Sequence, residues 1–160
     1  MIKSVLQKTK KLYFLGAIVL LAIVHFSFEP AMTEQEMLSW SNKCLTESYD
    51  PSGEAKLKKW ELVLTDDAFI RLRKTYTNGK QEYFSFQLHR FTDMDYLGST
   101  VNGTLQLKAV ADDIIVQTYN DPREDIDTMA TQLNIPVKNM EPERLDSLQM
   151  VLNYFKNKSL

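Results

Sequence analysis

His89 stands at the end of a stretch, Tyr83, Ser85, Gln87 and His89, in which every second residue is polar. Such spacing puts alternate residues on one face of a strand. Arg71 and Arg73 share it on the preceding stretch, so Arg71, Arg73, Tyr83, Ser85, Gln87 and His89 would make one polar, partly cationic sheet face. An imidazole beside guanidinium groups suits anion binding or general-base work. A triad also needs a nucleophile and a supporting acid, and no signature here places them. The chain has neither a glycine-rich phosphate loop nor a nucleophile elbow. The six residues are therefore read as a ligand or partner surface, with no catalytic residues assigned.

The remaining reactive side chains have plainer readings. Asp121, Glu124, Asp125 and Asp127 are crowded acids, but they lack the alternating-oxygen loop and central glycine of a calcium hand. Asp112 and Asp113 would point to opposite faces of a strand, and aspartate is a common turn residue. Cys44, the single cysteine, leaves no intrachain disulfide and no Cys-rich zinc or iron–sulfur pattern. No metal and no cofactor is expected. Asn102-Gly103-Thr104 and Asn157-Lys158-Ser159 match a glycosylation acceptor, which matters only in a eukaryotic secretory route.

Strands must position the polar face. From Leu57 to Asn120 apolar residues recur with period two: Trp60, Leu62 and Leu64, then Ile70 and Leu72, then Phe84, Phe86 and Leu88. Runs at 96–101, 104–110 and 114–119 follow. Turn residues separate the runs at Asp66-Asp67, Asn78-Gly79, Thr92-Asp93, Asn102-Gly103 and Asp112-Asp113. About six antiparallel strands in a meander are expected. At Asn78-Gly79 a two-residue loop would set apolar Leu72 against Ser85. A three-residue loop of Thr77, Asn78 and Gly79 restores agreement and places Leu72 opposite Phe84, Ile70 opposite Phe86 and Lys74 opposite Glu82. At Asn102-Gly103 a two-residue loop sets Tyr96 opposite Ala109 and Gly98 opposite Leu107.

Helical spacing flanks the meander. Thr33 and Glu36 have the capping-box interval, and Met37, Trp40, Cys44 and Leu45 then fall on one apolar face. That face would pack on the domain or on a partner helix. Asp121-Pro122-Arg123-Glu124 reads as another helix start, with Ile126, Met129, Ala130 and Leu133 as its buried side, ended by Ile135-Pro136-Val137. Pro142 opens a last helix striped by Leu145, Leu148, Val151, Leu152 and Phe155. The expected class is α+β: an N-terminal transmembrane helix, an amphipathic helix, the meander and two C-terminal helices that cover its apolar face.

Residues 12–28 contain no charged side chain. As a helix the run would span roughly 25 Å, slightly short of a bilayer's hydrocarbon core. The first eleven residues carry four lysines and no acid. Lysine is retained on the cytoplasmic side, so the expected order is a basic cytoplasmic start at 1–11, a bilayer anchor at 12–28, an amphipathic helix and linker at 29–56, and an extracytoplasmic domain at 57–160. A basic start and apolar run also fit a signal peptide, whose cleaved form would be secreted. The local sequence offers no good cleavage position, because Glu29 or His25 stands where a small residue is wanted. An uncleaved signal-anchor is expected.

After residue 28 the chain has 15 basic and 21 acidic residues, a formal −6. That charge argues against a nucleic-acid partner. The expectation for function is a single-pass, non-enzymatic accessory or structural subunit of a larger envelope membrane complex, periplasmic or extracellular in its folded part, with other membrane or envelope proteins as partners. The alternative is an extracytoplasmic module that binds a lipid, peptide or glycan in a pocket beneath the helices.

Overall fold

The structure is a computed structural model and describes residues 32–158. The anchor expected at 12–28 and its basic flank lie outside the described residues. No helix among the described residues is long and apolar enough to cross a membrane. The compact unit begins at Glu34.

Helix α1 (Glu34–Ser48) precedes strands β1 (Leu57–Leu64), β2 (Phe69–Tyr76) and β3 (Gln81–Gln87). A short 3₁₀ turn, Leu88–Arg90, leads to β4 (Phe91–Gly98). Strands β5 (Asn102–Ala109), β6 (Ile114–Tyr119), β7 (Asp127–Ala130) and β8 (Gln132–Lys138) follow, and helix α2 (Pro142–Lys158) ends the fold. The class is α+β with an antiparallel meander. It has eight strands where about six were expected, in sheets ordered β1-β2-β3-β6-β7 and β4-β5-β8.

The two sheets are linked by chain continuity. β3 runs into β4 through the 3₁₀ turn, β5 into β6 through residues 110–113, and β7 into β8 across Thr131. Pairing resumes across the first break: Ser85 faces Ile115 before it, and Phe91 faces Ala109 after it. The eight strands are thus five long ones, the last three of which bend. The bends are tied to one another. Val110 N–H donates to Arg90 O, Ala109 N–H to Thr131 O, and Arg90 Nη2 lies 2.8 Å from Asp113 Oδ2.

Alternation sorts the side chains. Leu62, Leu64, Ile70, Leu72 and Phe86 are almost completely buried on one face, beneath residues of both helices such as Leu45, Leu148, Leu152 and Phe155. Helix α1 lies along β1. There the Asn42 side chain donates to Leu64 O at 2.8 Å and accepts from Leu64 N–H at 2.7 Å, which satisfies part of the sheet's edge. Helix α2 packs on the 3₁₀ turn and on α1.

The β2–β3 register is the one that patterning predicts. Ile70 pairs with Phe86, Leu72 with Phe84 and Lys74 with Glu82. Gly79 adopts φ +89 in the turn, a conformation that favours glycine.

Three expectations need correction. The β4–β5 turn is Thr100-Val101, not Asn102-Gly103. Ser99 N–H donates to Asn102 O, so Gly98 faces Gly103 and Tyr96 faces Leu105. The shift is by an even number of residues, so each side chain keeps its face. Both glycines are required here: a Cβ on Gly98 would lie 2.4 Å from Gly103 Cα, and one on Gly103 would lie 2.8 Å from Leu97 O. Thr92-Asp93 is no turn, but lies within β4 at a register shift; the bend comes earlier, at Leu88–Arg90.

The helix expected after Asp121 is a loop followed by β7 and β8, so one C-terminal helix is present where two were expected. Asp121 accepts from Arg123 N–H and Asp125 from Asp121 N–H, which closes a turn that uses the Asp121 side chain expected to start a helix. The period-two set Leu133, Ile135 and Val137 is buried, while Ile126 and Met129 remain half exposed. Pro136 is tolerated because β8 is the outer strand of its sheet, and its carbonyl accepts from Asp50 N–H at 2.9 Å.

Gly98→Ala should destabilise the protein by at least about 1 kcal/mol, because it adds both positive-φ strain and a backbone clash. Gly53→Ala, with open space around the new methyl group, should stay within about 0.5 kcal/mol of the parent. Urea unfolding of both variants checks the pair; equal stabilities would contradict the Thr100-Val101 turn.

Candidate functional site

The face opposite the core carries the polar row. In register, Arg73 faces Tyr83, Arg71 faces Ser85 and Phe69 faces Gln87. The structure therefore brings Arg71, Arg73, Tyr83, Ser85 and Gln87 to one face of the sheet, on which Ser85 is buried. His89 does not join them, because β3 ends at Gln87 and His89 belongs to the bend. Period two carried the row one residue pair too far.

The two arginines are held differently. Arg71 lies over the Phe69 ring at 5.0 Å and reaches Asp67 at 3.6 Å. Its Nε is buried and has no hydrogen-bond partner among the described residues. Arg73 lies over the Tyr83 ring at 5.6 Å and makes no ion pair among the described residues. Stacking on an aromatic face restrains a guanidinium while leaving its N–H fork available.

Two clefts meet at Arg73 and Tyr83. One, of about 640 Å³, is lined by Arg73, Gln81, Tyr83, Tyr119, Asn120 and Asp125. The other, of about 330 Å³, is lined by Glu61, Val63, Thr65, Arg71, Arg73 and Tyr83. Together they make an open trough across β1, β2, β3 and β6. Tyr119, Gln81 and Asn120 had no sequence signal marking them, because the cross-strand register brings them to this surface.

The helix face Met37, Trp40, Cys44 and Leu45 is turned onto the chain's own core. Cys44 and Leu45 are buried, and Met37 and Trp40 pack partly buried against them. Burial pushes the Cys44 thiol up, away from the thiolate form that reactivity requires.

A polar cluster closes one end of the core. Glu54 accepts from Lys74 Nζ at 2.5 Å, Tyr49 Oη at 2.8 Å and Tyr76 Oη at 2.9 Å. Tyr76 Oη also reaches Glu82, which with Asp121 flanks Lys80 at 2.9 and 2.8 Å. The Asp121 acid thus serves an ion pair and a turn. Among the described residues no group of three or more His, Cys, Asp or Glu side chains is placed to hold a metal ion. The sequence hinted at this cluster only in Lys74, which shares the alternation of Ile70 and Leu72 and is itself buried.

Burial raises the Glu54 carboxyl, but the hydrogen bonds from Lys74, Tyr49 and Tyr76, with the Lys74 charge, outweigh it and hold its pKa below the ordinary 4.5. Burial and the bond to Glu54 push both tyrosines up. The arrangement binds the fold together and presents no nucleophile with a base.

The chain matches no known family's sequence profile, no curated protein and no solved structure.

A depressed carboxyl pKa contributes stability that is present above the unfolded value and lost as pH falls through the folded one. Glu54→Gln should therefore lower stability at neutral pH by about 1–3 kcal/mol. It should also flatten the loss of stability below the ordinary 4.5. Chemical denaturation across that range checks this; parallel wild-type and variant curves would contradict it.

Proposed function

We propose that this chain is a single-pass, non-enzymatic accessory or structural subunit of a larger envelope membrane complex, held by residues 12–28 with its folded unit extracytoplasmic. The observation that carries this reading is the uncharged run behind a lysine-rich start, in a chain whose folded unit begins at Glu34. Lysine retention orients such a chain with its N-terminus inside. The folded unit supports the same reading. Several of its charged groups, Arg90, Asp113, Lys80 and Asp121 among them, serve bends, turns and ion pairs, while the trough at Arg73 is a recessed surface with an unpaired cation among the described residues.

The second reading is an extracytoplasmic lipid-, peptide- or glycan-binding module. The same trough favours it, although on a different face from the one expected. Beneath the helices, Leu45, Leu148, Leu152 and Phe155 fill the space as core.

Extraction of native membranes in mild detergent should recover the intact chain with a stoichiometric partner protein, at a mass well above 18.6 kDa plus its micelle. A strictly monomeric chain at native expression would overturn the subunit reading.

A further inference from the structure

We infer that the trough seats an extended segment of a partner protein that carries one acidic side chain, its carboxylate on Arg73 and its neutral or basic neighbours against the rings of Tyr83 and Tyr119. This occupant presupposes the subunit function proposed above and names the chemistry of its contact.

Charge points first to a carboxylate. Arg73 is the cation shared by both clefts, and it makes no ion pair among the described residues. The Tyr83 ring restrains it, so its fork is partly ordered before a ligand arrives. A planar guanidinium pairs with a carboxylate through two parallel hydrogen bonds. Arg71, next on the same face, is already drawn towards Asp67.

The surrounding acids limit how much negative charge the trough accepts. Glu61 faces Arg73 across β1 and β2, and Asp125 stands in the wall of the larger cleft. A polyphosphate or nucleic-acid backbone would place further anions against both. A segment with a single acidic side chain and neutral or basic neighbours brings one anion, which Arg73 meets, and so suffers less of this repulsion.

Shape favours a chain over a small acid. The trough crosses four adjacent strands, β1, β2, β3 and β6. Strands lie about 4.8 Å apart, so the crossing is roughly 14 Å, the length of about four extended residues. An enclosed pocket would bury most of a small ligand's surface, whereas the larger cleft is open to solvent. Gln81 and Asn120 line it and can bond to a peptide backbone.

The test uses the purified full chain in detergent micelles. A display library of short random peptides is selected against the parent chain, and the winning sequence is synthesised for fluorescence-anisotropy titration. Selected peptides should share Asp or Glu at one position. Arg73→Gln should weaken binding of the synthetic peptide on the order of tenfold or more, Arg73→Lys by less, and Glu61→Gln should tighten it. The Arg73→Gln melting temperature should stay near that of the parent, which separates lost binding from lost folding. Selection without an acidic preference would overturn the assignment, as would equal peptide binding by Arg73→Gln. N-acetylglutamate amide raising the melting temperature as much as the peptide does would also overturn it, in favour of a small-acid site. If the native partner still co-purifies with Arg73→Gln as it does with the parent, the trough is not its seat, while the subunit function stands. If no partner co-purifies with the parent chain, the subunit function itself fails.

Discussion

The β2–β3 register is the constraint on which the rest of the molecule depends. With Leu72 opposite Phe84 and Ile70 opposite Phe86, one face of the sheet is apolar and accepts two helices. The same pairing leaves Arg71, Arg73 and Tyr83 together on the other face. A slip of one residue would exchange the faces and bury two guanidinium groups. The turn at Thr77, Asn78 and Gly79 holds the register from one end, and Gly79 supplies the left-handed residue that a three-residue loop requires. At the same end of the sheet, Glu54, Lys74 and Glu82 satisfy polar groups that would otherwise be stranded at the edge of the core.

Bending converts this two-faced sheet into a surface with relief. The last three long strands bend where Arg90, Asp113 and Thr131 tie them together, and the chain continues from the five-stranded sheet into the three-stranded one. Helix α2 packs on the bend and α1 along β1, so the helices occupy the apolar side. The two clefts at Arg73 lie on the opposite side, which neither α1 nor α2 covers. Chemistry and shape thus coincide at Arg73 for a structural reason: it sits on the face of a central hairpin that α1 and α2 leave open, over a tyrosine that restrains it.

Much of this was legible in the sequence, and the exceptions share a physical cause. The Thr77–Gly79 loop could be read because local chemistry and face agreement select one answer. The polar row from Arg71 to Gln87 followed from the same alternation. At Asp121–Leu133 local chemistry was ambiguous, since Asp121 and Pro122 suit a helix start and a turn equally. The deciding interactions are distant: Leu133 pairs with Leu107, and Val137 bridges to Tyr49. The Thr100-Val101 turn was hidden for a similar reason, because it depends on the close approach of Gly98 and Gly103 and on Asn139 and Met140 bonding its tip. His89 was misplaced because periodicity does not announce where a strand bends. The walls of the trough at Tyr119 and Asn120 depend on cross-strand register, which no local pattern reveals.

The central claim is that this chain meets its partner through the sheet face that α1 and α2 leave open. A photoreactive benzoyl-phenylalanine placed at Gln81 or Tyr119, in the wall of the larger cleft, tests it in native membranes. Placement at Lys43 or Met150, exposed on the two helices, provides the comparison. The account predicts an adduct with one protein from Gln81 and Tyr119 and none from Lys43 or Met150. Adducts from the helices alone, or none from the cleft, would contradict it.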